Sequence, residues 1–142
     1  MRLDKTTSYA VLTLGVLFTT PLFAQAPRGA ALSVHLQCAG GDCPLLHGFP
    51  QTAGMRSGFV RLKPTETVGW HTTGRNEESL VILRGSGEVL LANEPSKPFT
   101  APALVYIPPL MRHNVANTGK EVLEYVYVVA PAGASSVEPR SH

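Results

Sequence analysis

The chain has 142 residues, with 12 Lys plus Arg against 10 Asp plus Glu, and a formal charge of +2. No basic cluster or RNA-binding signature interrupts that even balance, which argues against a nucleic-acid partner. Thirteen glycines and twelve prolines punctuate the sequence, so short, turn-bounded elements are expected.

Arg2 and Lys5 precede an uncharged run that is most apolar from Tyr9 to Phe18, and Ala24-Gln25-Ala26 supplies the small-x-small pattern of a signal peptidase site. Residues 1–26 are therefore expected to be a cleaved secretory signal, placing the mature chain in the periplasm or outside the cell. Pro21, the scattered threonines and the cleavage pattern argue against a retained membrane anchor, so no stable membrane association is expected after cleavage. About 116 residues remain, with ten cationic and nine acidic side chains. That length supports one core and not two.

Residues 27–54 are rich in Gly, Pro and Ala and show only short apolar pieces around Leu32 to Leu36, which predicts an arm with at most one short strand. The arm holds both cysteines, Cys38 and Cys43. In an exported protein an even count favours a disulfide over free thiols or thiolate metal ligation. The intervening Ala39-Gly40-Gly41-Asp42 can turn tightly enough to allow the bridge.

From Met55 the pattern changes to runs of β-formers: Gly58 to Leu62, Val68 to Thr72, Ser79 to Leu83, Glu88 to Ala92, Ala103 to Ile107, His113 to Ala116 and Val122 to Val129. Turn residues separate them, including Thr73-Gly74-Arg75-Asn76, Gly85-Ser86-Gly87, Asn93-Glu94-Pro95 and Pro108-Pro109. Several short strands with no helical stripe predict an all-β sandwich or small barrel over residues 55–130. The remaining tail, 131–142, is Ala, Gly, Ser and Pro with two charges, a composition that predicts disorder.

Strand alternation places His71 and Thr73 on one face with Trp70 and Thr72 on the other, and aligns Glu78 with Leu80 and Ile82. His113, Val115 and Asn117 align in the same way. If His71, Glu78 and His113 all face inward, two imidazole nitrogens and one carboxylate oxygen meet from three strands, a donor set suited to a divalent metal. Trp70 is expected to pack between sheet and neighbour, Glu77 to be solvated or paired with Arg75 or a lysine, and Tyr125 and Tyr127 to share a face. His35, His47 and His142 are expected on the surface or arm.

In these residues the chain resembles the cupin family, whose first motif is His-x-His, three or four residues, Glu, six residues, Gly. His71, Glu78 and Gly85 match it, with four residues between Thr73 and Glu78 and six between Glu78 and Gly85. That register selects Glu78 over Glu77. The second motif, Pro-x-Gly-x-x-His-x-x-x-Asn, is matched by Pro108, His113 and Asn117, with Leu110 in the glycine position. The resemblance covers about Met55 to Ala130. It implies a single-domain double-stranded β-helix of the jelly-roll type, a divalent metal on His71, Glu78 and His113, and a homodimer.

Thr73 stands where the family has its second histidine. A hydroxyl is a poor donor beside imidazole, so the resemblance implies a weaker centre with a position open to water, Thr73 itself or substrate. Two His and one carboxylate accept Fe, Mn, Ni, Zn or Cu alike, and with open positions match the donor composition of non-haem Fe(II) oxygenases. The expected function is a metal-dependent, dioxygenase-like enzyme on a small chelating molecule. The alternative is a non-catalytic extracytoplasmic binding protein for a metal or small molecule.

Overall fold

The computed structural model describes residues 30–133. The expected signal segment, the first residues of the arm and most of the 131–142 tail, including His142, lie outside the described residues. Eight strands follow in order: β1 (Gly41–His47), β2 (Arg56–Leu62), β3 (Asn76–Arg84), β4 (Ser86–Leu91), β5 (Glu94–Thr100), β6 (Ala103–Ile107), β7 (His113–Ala116) and β8 (Leu123–Pro131). They form two antiparallel sheets, one of order β1-β2-β8-β3-β6 and one of order β5-β4-β7. This is the expected all-β jelly-roll architecture in one domain.

The core follows from the pleat. In β3, Glu78, Leu80 and Ile82 are buried while Val81 and Leu83 are exposed, because successive side chains alternate between faces. Val60, Leu62, Val89, Phe99, Ile107, Val115, Leu123 and Tyr125 close the interior around them. Opposite faces of the two sheets thus share one apolar filling.

Two elements differ from the sequence expectation. Val68 to Thr72 does not form a strand; only isolated bridges occur, Thr67 with Ala116 and His71 with His113. Gly69 lies between them at φ 93°, a left-handed conformation that breaks the pleat. Conversely, Glu94–Thr100 is a strand although it contains two prolines and was expected to open as a turn. It is the edge of its sheet, where a missing N–H is tolerated. The turn is shorter, Ala92-Asn93, with Asn93 at φ 63°. In the arm, the strand lies at Gly41–His47 and pairs with β2, whereas Leu32 to Leu36 has no regular structure.

Asn117 holds the connections together. Its buried amide donates to the Leu62 carbonyl at 2.9 Å and the Glu121 carbonyl at 2.8 Å, and accepts from the Gly119 N–H at 2.9 Å. Its backbone meets Thr65 and Glu66. The side chain thus fixes the end of β2 and the turn before β8, and the backbone of the same residue fixes the loop between them. Replacing Asn117 with Ala strips the three side-chain bonds while leaving the backbone pair in place, and is expected to cost about 2–3 kcal/mol, read as a lower thermal midpoint in the presence of a chelator.

Leu110 adopts φ 65° in the turn between β6 and β7, and its N–H donates to the Gly74 carbonyl at 2.6 Å. A side chain in this region is strained by about 1 kcal/mol, and Leu110 is 72% exposed, so its apolar surface recovers little of that. Leu110→Gly is therefore expected to raise stability by about 0.5–1 kcal/mol, measured by denaturant unfolding. A loss of stability would show that the leucine side chain makes contacts that outweigh the strain.

Candidate metal centre

The centre begins with two backbone hydrogen bonds. His71 N–H donates to the His113 carbonyl and His113 N–H to the His71 carbonyl, each at 2.9 Å, which places the two imidazoles side by side with ring centroids 4.3 Å apart. Each ring is then oriented by a carbonyl two residues upstream. His71 Nδ1 lies 2.9 Å from the Gly69 oxygen and His113 Nδ1 lies 3.0 Å from the Met111 oxygen. A carbonyl can only accept, so Nδ1 carries the proton in both rings and Nε2 is left with a free lone pair. This is the outer support that metal-binding histidines use.

Glu78 reaches the same point from β3. One donor atom from each of His71, Glu78 and His113 lies within 4.8 Å of the others. Glu78 is 5% exposed and His113 0%, while His71 is exposed toward the mouth. Glu78 Oε2 and His113 Nε2 stand 3.2 Å apart, yet among the described residues neither has a hydrogen-bond partner. The separation is that of an ion pair but the orientation is not that of a hydrogen bond. Burial is the largest influence on His113 and favours its neutral form. The nearby Glu78 carboxylate and the Met111 carbonyl together outweigh it, so the His113 pKa is held above its ordinary value.

Two orphaned buried atoms, one imidazole nitrogen and one carboxylate oxygen, fit a cation. Ligand bonds of about 2.1 Å meeting at 90–110° separate donor atoms by roughly 3.0–3.4 Å, and 3.2 Å falls within that interval. Burying the two groups without a cation or a hydrogen bond would cost several kcal/mol by the usual magnitude for unsatisfied polar groups. Glu78, rather than Glu77, faces inward; Glu77 instead accepts a hydrogen bond from the Tyr106 hydroxyl at 3.2 Å, not from Arg75 or a lysine.

The centre opens into a cavity of about 370 Å³ whose lining includes His71, Thr73 and Glu78. Thr73 Oγ1 donates to the Asn76 carbonyl at 3.1 Å and so closes the turn into β3. Thr72 also lines the cavity, contrary to strict alternation, because the chain leaves extended pairing after His71. Val60, Val68, Val115 and Val129 form apolar wall. Trp70 is 44% exposed rather than packed, and lies under the Arg112 guanidinium at 5.1 Å.

Tyr125 and Tyr127, which share a face as expected, both line the cavity, and three further polar residues there were not assigned to it from sequence: Asp42, His47 and Arg56. His47 was expected on the arm surface. It lines the cavity because β1 joins the sheet beside β2, where His47 is the cross-strand partner of Arg56. Only the cysteine pair bracketing Asp42 hinted that this segment is held in place. Cys38 and Cys43 are joined by a disulfide with Cα atoms 5.7 Å apart, and neither is a thiolate ligand.

Residues 58–129 match the family model described as a cupin domain, Cupin_2. Among solved structures the chain is similar to the cupin domain of Schizosaccharomyces pombe Cnp3, with a TM-score of 0.59 at 23% identity over 70% of each chain. It is also similar to a Cupin 2 conserved barrel domain protein from Salinispora arenicola, with a TM-score of 0.55 at 22% identity over 76% of this chain and 92% of that one. A predicted oxalate decarboxylase from Thermotoga maritima aligns with a TM-score of 0.50 at 18% identity, over 66% of this chain and 95% of that one. No curated protein matches the chain in sequence.

Placing a third imidazole beside the centre tests its geometry. Thr73→His is expected to tighten divalent-metal binding by about tenfold or more, measured by competition with a chelating dye. The lost Thr73–Asn76 bond should cost about 1 kcal/mol of stability. Unchanged metal affinity would show that position 73 does not face the ion.

Proposed function

The chain belongs to the cupin family, and on that premise we propose that its barrel holds a divalent transition metal on His71, Glu78 and His113 and carries out dioxygenase-type oxidation of a small chelating substrate. The observation that carries this reading is the pair of buried, unpartnered donor atoms on Glu78 and His113 at 3.2 Å. When bound, the metal would supply Lewis acidity and a redox centre shared by dioxygen and the chelating substrate. The chain supplies the rest. His71 and His113 present Nε2 because the Gly69 and Met111 carbonyls hold Nδ1. Glu78 contributes one negative charge, leaving a net positive centre that favours an anionic chelating head. The valine walls limit competing water, and Thr73 in place of a fourth strong donor leaves room for substrate to coordinate.

Export is part of the proposal. The signal-like segment supports it, and so does the cystine, which persists in oxidising compartments. A homodimer is supported by the apolar outer face of the edge strand β6, where Leu104 and Tyr106 are exposed beside Val81 of β3. One observation favours the second reading, a non-catalytic binding protein: His71 is exposed, so the centre lies near the mouth and not in a sealed interior.

Protein purified without chelators or a metal-binding tag is expected to carry about one equivalent of a divalent transition metal by elemental analysis. His71→Ala, Glu78→Ala and His113→Ala should each reduce that content sharply, and metal retained unchanged in all three would defeat the assignment. Metal-dependent oxygen uptake with a diketone, phenolic or thiol chelator separates the enzyme from the binder.

A further inference from the structure

The strand β1 lies outside the residues that match the family model, yet it supplies Asp42, Pro44, Leu46 and His47 to the cavity wall. Asp42 is the one carboxylate of this strand. It sits inside the loop closed by Cys38 and Cys43 and pairs with Val60 in the ladder. The loop is tied down again by Arg61, whose Nη1 donates to the Cys38 carbonyl at 3.0 Å while its Nε meets Glu124 at 2.8 Å.

Tyr127 completes the arrangement from the other side of β2. It faces Gly58 across the β2–β8 ladder, and its ring lies where a side chain at position 58 would be; a Cβ there would stand 2.5 Å from the ring. The bare glycine lets the tyrosine lie across β2 and reach β1, where its hydroxyl donates to Asp42 Oδ2 at 3.5 Å. That bond is long, and it is the only side-chain hydrogen bond of Asp42 among the described residues. An ionised carboxylate can accept about four, so most of its accepting capacity is left for solvent or a ligand at the cavity wall. Burial pushes the Asp42 carboxyl up, although the residue as a whole is exposed, and Tyr127 pulls it down. Both effects agree with a carboxylate set against a partly walled space.

We infer that Asp42 is a specificity-determining residue of this site, accepting the hydroxyl or ammonium of a ligand whose other end chelates the metal. The inference rests on the metal reading above and adds the chemistry of the ligand's far end. Arg56, the cavity's one guanidinium, is the competing recognition group, favouring a carboxylate tail. Both residues pair in the ladder and both are exposed, but Arg56 carries its guanidinium on a long flexible stem with no side-chain hydrogen bond among the described residues, whereas the short Asp42 side chain stays close to a backbone closed by the cystine and is met by Tyr127. Preorganised groups lose less entropy on binding.

The test compares three catechols with one chelating head, 4-ethylcatechol, 4-(2-aminoethyl)catechol and 3,4-dihydroxyphenylacetate, by calorimetry on the metal-loaded full chain. The ammonium tail is expected to bind about tenfold tighter than the ethyl tail. Asp42→Asn should bring the two within about twofold, with metal content and 4-ethylcatechol affinity unchanged. The double variant Cys38→Ser with Cys43→Ser should reduce the same preference while leaving the metal in place, which separates positioning of Asp42 from loss of the centre. Equal binding of all three catechols, or preference for the carboxylate tail, would overturn the inference and leave the metal reading standing. Protein that takes up no metal would overturn both.

Discussion

A carboxylate in a protein interior must be compensated, and the barrel is organised around that of Glu78. The same pleat that turns Leu80 and Ile82 into the core turns Glu78 inward beside them. Its neighbour is His113, which is fully buried, and the facing atoms of the two lack hydrogen bonds. Core and site are therefore set by one register. A slip of one residue in β3 would expel the carboxylate and its apolar neighbours together, so the register that builds the core also aims the carboxylate.

The remaining geometry is carried mainly by backbone. The reciprocal bonds between His71 and His113 join the two motif segments directly, and the Leu110 N–H to the Gly74 carbonyl joins their turns. Each imidazole is oriented by a carbonyl of its own segment. Side chains remote from the centre then hold these segments in place, Asn117 above all, because its amide and backbone connect loops that approach from different strands. The motif asparagine is thus a structural fastening and not a ligand.

The N-terminal strand divides the labour. Residues within the family match supply His71, Glu78 and His113, the valine wall and Tyr127, while β1 adds Asp42 and His47 with the apolar Pro44 and Leu46. A strand added at a sheet edge also covers unpaired backbone that would otherwise be free to join another chain. The cystine loop that anchors it lies next to the group we assign to ligand discrimination, so the covalent tether and the chemistry of the rim are joined in one short segment.

Much of this was legible in the residues. The period-two pattern from Met55 onward gave the all-β class, and the spacing of His71, Glu78 and Gly85, with Pro108, His113 and Asn117, identified which residues converge. Those features are local: alternation and turn chemistry act within a few residues. Where local rules compete with position in a sheet, the tertiary structure decided. Pro95 and Pro98 belong to a strand because β5 is an edge, and Val68 to Thr72 is not one because Gly69 turns left-handed. Asp42, His47, Arg56 and Tyr127 meet only because β1 docks beside β2 and Gly58 leaves room for a tyrosine to cross it. Sequence alone therefore determined the fold class and which three donor side chains converge, His71, Glu78 and His113, whose spacing is written into two motifs. The ligand-facing wall was decided by long-range pairing, which leaves no periodic trace in the chain.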